Sequence, residues 1–339
     1  MARWPSPFRR HPVPIPVPQP SNAATAAPPL APGPGLLSQP RPPLPPSQSA
    51  FHGPTVLFLV VIHVAALVAL LPRFWSWQGL TALVLLYWIT GIGVTLGLHR
   101  LAAHRSFQAP LLVERTLMLM GTLALQNSPI EWVGLHRHHH QFSDLPNDHH
   151  DSGRGFWWAH VGWMLHDCPA RSHLDRYTAD LRRDPFNGWL ERWSIGLQLL
   201  LAAGLFGYGS WAGVHGGGLG LVLWGIALRL VLVYNATWLV NSATHAFGYR
   251  NFNSDDLSRN CWWVALLALG EGWHNNHHAF PSSARHGLRW FEFDITWQHI
   301  RLLRTLGLAR RVKLAPLPAA KAATAGADRL QTKAHSGRL

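Results

Sequence analysis

An all-α integral membrane protein with four spanning helices is what this sequence predicts, and three observations carry the prediction. Of its 339 residues, 48% are hydrophobic and only 13% charged, roughly half the charged fraction of an average soluble protein. Four stretches, at 55–71, 80–98, 195–213 and 219–240, are apolar over nearly the ~20 residues a helix needs to cross a hydrocarbon core about 30 Å thick. The lysines and arginines fall almost entirely outside those stretches.

Residues 1–50 hold 16 of the 26 prolines and four arginines but no Asp or Glu. Such a segment cannot bury enough apolar surface to offset its ordering entropy, so a disordered Pro-rich tail is expected. It lacks the apolar run of a secretory signal, and so much proline opposes the amphipathic helix of an organellar transit peptide. One membrane domain over 51–313 is expected to follow. Its first two spans are joined by LPRFWSWQG, whose Trp75 and Trp77 suit a membrane interface, and its last two by the Gly-rich turn VHGGG. The spans therefore form two helical hairpins. Lys and Arg number four before residue 55, one between the first two spans, ten over 99–194, none in the second turn and thirteen from 250 onward. By the positive-inside rule, both termini and the central loop are expected in the cytoplasm. Segment 111–125, LLVERTLMLMGTLAL, is apolar but short, and Glu114 and Arg115 make it an interfacial or buried cytoplasmic helix rather than a fifth span. Arg229 falls in the middle of the last span, where a charge is costly, so a structural pairing or backbone hydrogen bonds are expected to hold it. Residues 314–339 are expected to be a disordered basic tail.

Two cysteines, Cys168 and Cys261, cannot build a disulfide framework, and no CxxC or CxxCH exists to hold an iron–sulfur cluster or c-type haem. A dinucleotide loop, a P-loop, a GxSxG elbow and internal repeats are absent too, and nothing suggests nucleic-acid reading. A redox centre in this chain must therefore use histidine, of which there are 22.

Three clusters stand out: HRLAAH (His99, His104) directly after the second span, HRHHH (His136, His138, His139, His140) in the central loop, and HNNHH (His274, His277, His278) after the fourth span. Each lies at the predicted cytoplasmic face. On a helix the i, i+3, i+4 spacing groups His136 with His139 and His140, and His274 with His277 and His278. The five-residue spacing of His99 and His104 turns through about 140°, so these two are expected to flank a centre rather than share an edge. Imidazole suits Zn, Cu, Fe and Ni, and eight imidazoles exceed any four-coordinate zinc site, which implies two metals. Carboxylate bundles need a Glu-x-x-His motif on each of two helices and this chain does not have both, so a di-iron site here would be histidine-rich. A metal carrier is disfavoured because the clusters lie beyond the span ends. A bis-His haem protein would place facing pairs within spans, where only His63 is central, and His63 is expected to be an isolated packed residue.

At these motifs the sequence resembles the membrane fatty-acid desaturases. GVTLGLHRLAAHRSF, EWVGLHRHHHQFSD, NSATHAFGY and GEGWHNNHHAFP stand where the delta-9 group has its own versions, and the match runs from about 54 to 313. PIEWVGLHR, GFWWAHVGWML and SRNCWWVALLALGEGWHNNHHAFPSSARHGL look more like the cyanobacterial-type acyl-lipid delta-9 desaturases than the animal stearoyl-CoA enzymes. The resemblance implies a mushroom-like architecture, four transmembrane helices under a cytosolic helical cap holding a His-rich di-iron site. The ligands it implies are His99, His104, His136, His139, His140, His274, His277 and His278, with His245 of NSATH as the ninth and Asn241 holding a metal-bound water. His138 departs from the family pattern and is expected to lie behind the ligands or be exposed; His149 and His150 are expected to act structurally. A buried tunnel bending past the metals would set the bond position. The resemblance makes Gln126, Trp132, Thr237 and Trp238 candidates for the bend and puts Tyr87 near the closed end, and Trp238 is expected to face His245.

The activity so implied is the O2-dependent introduction of a cis double bond, at Δ9, into a saturated C16 or C18 acyl chain. Side-chain acid–base chemistry cannot remove two hydrogens from unactivated methylenes, so an oxidised metal is required. Reducing O2 to two waters takes four electrons; two leave with the substrate hydrogens and two must come from an external donor, of ferredoxin type by the resemblance. A di-iron membrane fatty-acyl hydroxylase would share the same cage and is the alternative. Animal acyl-CoA enzymes carry an Arg-Asp pair before the second His box and an Arg-Lys pair after the GW motif, where this chain has Gly134-Leu135 and His166-Asp167-Cys168. An acyl chain on a membrane glycerolipid is therefore favoured over acyl-CoA, although Arg171 or Arg182 could supply phosphate contacts.

Overall fold

The computed structural model describes residues 50–316, so the expected tails, 1–50 and 314–339, lie outside the described residues except at 50 and 314–316. Among the described residues the chain is helical, with isolated bridge pairs in place of any sheet. Helix α1 (Gly53–Ala69) starts with a proline in its first turn, where the missing N–H has no intrahelical partner to lose. Helix α2 (Trp77–Ile92) is capped by Ser76, whose Oγ accepts from Gly79 N at 2.9 Å, and it runs on without a break as a π-helix over Gly93–Ala103. Helix α3 (Leu111–Thr122) crosses that π segment backbone to backbone. A Cβ on Gly93 would lie 2.2 Å from Gly121 N, so only glycine permits this approach.

Helix α4 (Pro129–Phe142) begins with a capping sequence, Ser-x-x-Glu with proline at the first turn: Ser128 Oγ accepts from Glu131 N at 3.1 Å. Two short helices follow, α5 (Phe156–His160) and α6 (Asp175–Arg182), then the long α7 (Pro185–Trp211). Helix α8 (Gly217–Val222) passes through a second π stretch, Leu223–Leu228, into α9 (Arg229–Ala246). Helices α10 (Trp262–Leu267), α11 (His274–Ala279) and α12 (Ile295–Thr305) complete the fold.

All four expected spans fall on helices. Among the described residues two continuous helices, Trp77–Ala103 and Gly217–Ala246, are long and apolar enough to cross a membrane; α1 is apolar but has 17 residues. Helix α7 starts well before residue 195, because Asp184 and Pro185 supply a cap and a first turn there, with Asp184 Oδ1 accepting from Phe186 N at 3.1 Å. Segment 111–125 is α3, with Leu117, Met118, Gly121 and Thr122 buried. Arg229 is fully buried and donates to two carbonyls, Gly225 O at 3.1 Å and Leu123 O at 2.7 Å, which is the backbone solution expected of it. His63 hydrogen-bonds within its own helix, to Leu59 O at 2.7 Å.

Candidate metal centre

The π-helix decides how the first histidine motif is presented. In an α-helix His99 and His104 would diverge. Here His104 N donates to His99 O at 3.0 Å, an i→i+5 bond that returns residues five apart to one side, and the two rings sit 4.8 Å apart. The expectation that this pair flanks the centre is therefore corrected: both rings enter the same group.

That group contains His99, His104, His136, His140 and His277, and a second contains His139, His245, His274 and His278. Within each, the ligating nitrogens lie within 4.8 Å of one another. All nine histidines anticipated as ligands are accounted for by these two groups. The π end of the second helix supplies two, α4 three, α9 one and α11 three; residue 104 itself closes the π segment. In the first group Nε2 atoms approach in pairs, His99 with His277 at 3.2 Å, His104 with His136 at 2.7 Å and His140 with His277 at 2.9 Å. The groups adjoin, since the His140 and His278 rings are 4.7 Å apart.

Carboxylates surround the cage. Asp148 Oδ2 lies 2.9 Å from His139 Nδ1, Asp144 Oδ2 2.9 Å from His245 Nδ1, Asp256 Oδ2 2.6 Å from His278 Nδ1, and Glu271 Oε2 2.7 Å from His99 Nδ1. A carboxylate on Nδ1 keeps the proton there and leaves Nε2 a bare lone pair. The Nε2 atoms of His139, His245 and His278 and both nitrogens of His274 are buried without a hydrogen-bond partner. Unpartnered buried acceptors are costly, and four sets of lone pairs converging on one point suit a cation. Burial, reinforced by mutual proximity, pushes His136, His139, His140, His274 and His277 well below the ordinary imidazole pKa, so they stay neutral and able to bind metal. Burial works against ionisation of Asp256, but His278 and Ser258 outweigh it and hold that carboxyl far below its usual range. The donor set thus fits two imidazole-bound ions, with negative charge one shell out.

Two cavities lie against the cage and share part of their walls. One, of about 70 Å³, runs from Tyr87 and Gly91 past Val94 and Thr95 to His99, His136 and Asn241. The other, of about 170 Å³, runs from Thr55, Phe58 and Leu59 past Trp163 to the same junction. Both are lined by Trp132, His136, Thr237 and Asn241. Across the junction Trp132 Nε1 donates to Gln126 Oε1 at 3.1 Å and Gln126 Nε2 donates to Thr237 Oγ1 at 2.9 Å, while the Trp132 ring stacks on His136 at 5.2 Å. Gln126, Trp132 and Thr237 thus form one strap where the two cavities join. Tyr87 lies at the far end, its hydroxyl donating to Leu267 O at 2.6 Å. Trp238 lines the second cavity, but its ring contacts are with Tyr234 and His160 rather than with His245.

Further residues pack around the two groups. His138 joins neither group and is buried, not exposed, packing against Phe142 and Tyr177. His150 lies 4.1 Å from His139, ring to ring, and shares Asp148 with it; His149 packs on Trp163. The carboxylates Asp144, Asp148, Asp256 and Glu271 escaped sequence reasoning. Asp148 is nine residues from its histidine and Asp256 twenty-two, and Asp144 reaches His245 across 101, so no helical periodicity links them.

The family whose sequence profile matches this chain is Fatty acid desaturase, over residues 74–309. An sn-1 stearoyl-lipid 9-desaturase of Anabaena variabilis is 52% identical over 260 residues, which is 76% of this chain and 93% of that protein. An sn-1 stearoyl-lipid 9-desaturase of a Synechocystis strain is 52% identical over 262 residues, covering 77% of this chain and 80% of that protein. An sn-2 palmitoyl-lipid 9-desaturase of a Nostoc strain is 46% identical over 266 residues, with 77% and 90% covered.

Proposed function

This chain belongs to the fatty acid desaturase family, and we propose that it places a cis Δ9 double bond in a saturated C16 or C18 acyl chain of a membrane glycerolipid, at two irons held by histidine. The observation that carries this is the pair of adjoining imidazole groups, five and four, opening onto the junction of two cavities. Bound there, the irons would supply the O2 redox chemistry that no side chain possesses. The nine proposed ligands are His99, His104, His136, His139, His140, His245, His274, His277 and His278. Asn241 lines both cavities, which supports its proposed role of holding a water beside them.

The protein's own contribution is position. An acyl chain threaded through both cavities must turn under the strap of Gln126, Trp132 and Thr237, which fixes one methylene pair beside the cage. Apolar walls such as Val94, Val233 and Leu269 keep water from that pair. Four membrane spans and a cytoplasmic cap fit the outward side chains: Leu57, Val60, Val61, Val64 and Leu67 on α1, Val84 and Leu85 on α2, Leu199, Leu200 and Phe206 on α7, and Leu232 on α9 are all exposed. A soluble monomer rarely shows so continuous an apolar surface. The electron count calls for an external donor of ferredoxin type.

Sn-1 and sn-2 lipid desaturases among the relatives favour a glycerolipid substrate. A host with only saturated chains tests the chemistry: a new double bond, located by mass spectrometry, is expected, and a hydroxylated product alone would refute desaturation. Elemental analysis of active protein should give two irons per chain. For the carrier, stearoyl-CoA and a stearoyl-glycerolipid are offered separately with ferredoxin, its reductase and NADPH, acyl exchange being blocked; conversion of the CoA ester alone would overturn the lipid assignment.

A further inference from the structure

The segment SSARHGL that follows the third histidine motif contains His286, a tenth histidine with no role so far. Its ring is 1% exposed. The backbone on either side is fixed: His286 N donates to Asp294 Oδ2 at 2.8 Å, and His286 O accepts from Asn276 Nδ2 at 2.8 Å. The ring lies 4.4 Å from that of His277, tilted by 32°, and 5.5 Å from that of His99. Its Nδ1 is 3.3 Å from Glu271 Oε2, the oxygen that also lies 2.7 Å from His99 Nδ1. The other oxygen, Oε1, accepts from the fully buried Arg100 at 3.1 Å, and Arg100 in turn grips both oxygens of Asp294. Glu271 itself sits between Gly270 and Gly272; Gly270 has φ +114°, and a Cβ there would meet Asp294 Oδ1 at 2.4 Å.

This arrangement differs from that around the second group. There Asp144, Asp148 and Asp256 each meet a candidate ligand's Nδ1 from the side away from the cage. Here a single carboxylate oxygen lies between two imidazoles, His99 of the cage and His286 outside it, and the outer imidazole also covers the face of His277. Taking the iron-bound cage above as given, we propose that His286 is a positioning residue for the first histidine group, fixing His99 through Glu271 and His277 by ring contact.

The test uses iron-57 holoenzyme of the wild type, His286→Phe, His286→Asn, Glu271→Gln and His277→Ala. Phenylalanine keeps the ring contact but offers Glu271 nothing; asparagine restores a donor near the place of Nδ1. His286→Phe is expected to purify with two irons, to show a changed Mössbauer signal at one of them, and to lose that iron to a chelator about 10–100-fold faster. His286→Asn is expected to move the signal back toward wild type through Glu271 without restoring the part that depends on the ring contact with His277, and Glu271→Gln to disturb the same iron as His286→Phe. A His286→Phe protein identical to wild type in signal and chelator rate would reduce His286 to space filling and overturn the proposal. So would loss of a whole iron in both His286 variants, as expected for His277→Ala, because that result would make His286 a ligand. Should His286→Phe fail to fold, Glu271→Gln decides: a change confined to the other iron overturns the proposal. Wild-type protein that holds no iron would sink the metal assignment itself, a failure seen before any variant is compared.

Discussion

With two irons bound as proposed, replacing Asp256 by asparagine changes one atom and should weaken the hold on one of them. In the folded protein Asp256 Oδ2 faces His278 Nδ1 at 2.6 Å, while Oδ1 accepts from Ser254 Oγ at 2.8 Å, from Ser258 N at 3.0 Å and from the Ser258 hydroxyl. An amide cannot serve both sides. If its oxygen stays with the serines, its NH2 confronts the Nδ1–H of His278, which must shift its proton to Nε2 and so surrender the lone pair aimed into the cage. If the amide turns over, its NH2 faces three donors that then lose their acceptor. Loss of such an outer partner weakens metal binding about 10–100-fold, or about 1.4–2.7 kcal/mol at 1.36 kcal/mol per tenfold. The assay is iron content of Asp256→Asn protein after timed exposure to a graded chelator, with Mössbauer spectra to count the remaining environments. One iron should leave about 10–100-fold more readily while the other, held by the five-histidine group, is unchanged. Equal resistance of both irons to the chelator, at wild-type level, would refute the orienting role given to the carboxylate.

His139→Ala or His277→Ala should abolish desaturation, since each removes a nitrogen from one group, whereas His138→Ala should keep substantial activity; equal and complete loss in all three at normal protein levels would show that the HRHHH register is misassigned. Trp132→Phe deletes the hydrogen bond to Gln126 and frees the strap, so the product should contain double bonds at neighbouring positions by mass spectrometry, and an unchanged single position would count against the bend. Gly93→Ala forces a Cβ to within 2.2 Å of Gly121 N, and the overlap should destabilise the domain by about 1–3 kcal/mol, visible as a lower unfolding midpoint in detergent. His136, His139, His140, His274 and His277 are held below their usual pKa by burial and then by neighbouring imidazoles, so at these groups the unfolded chain binds more protons than the folded one below about pH 6.5. The metal-free protein should therefore keep full stability above that pH and lose it progressively as the pH falls further; a flat unfolding temperature between about pH 8 and 5 would contradict this.

Much of this was legible in the sequence because its signals are local. Apolar runs long enough for helices and the i, i+3, i+4 histidines depend on neighbours along the chain, and the corresponding helices appear, but each expected histidine triplet is divided between the two groups, His139 parting from His136 and His140, and His277 from His274 and His278. His99 and His104 were misjudged because helical arithmetic assumed 3.6 residues per turn where the chain adopts π geometry. The π segment begins at Gly93, whose backbone packs on that of Gly121, twenty-eight residues away, and no window of sequence displays that contact. The outer carboxylates and His286 were hidden for a related reason. Their partners come from other elements, and an isolated Asp or His in a loop carries no periodic mark.

The five-histidine group draws its members from residue 99 to residue 277, and His99 touches His277 across 178 positions. A ribosome that has delivered the first two helices and α4 has made four of these five imidazoles and cannot yet close the ring. Both apolar helices long enough to cross a membrane are complete by Ala246, before α11 has been synthesised. The order of the chain therefore lets insertion of these helices precede closure of the cage. Under the proposed iron assignment, loading of the five-histidine group has to wait for α11 and is a late step of maturation.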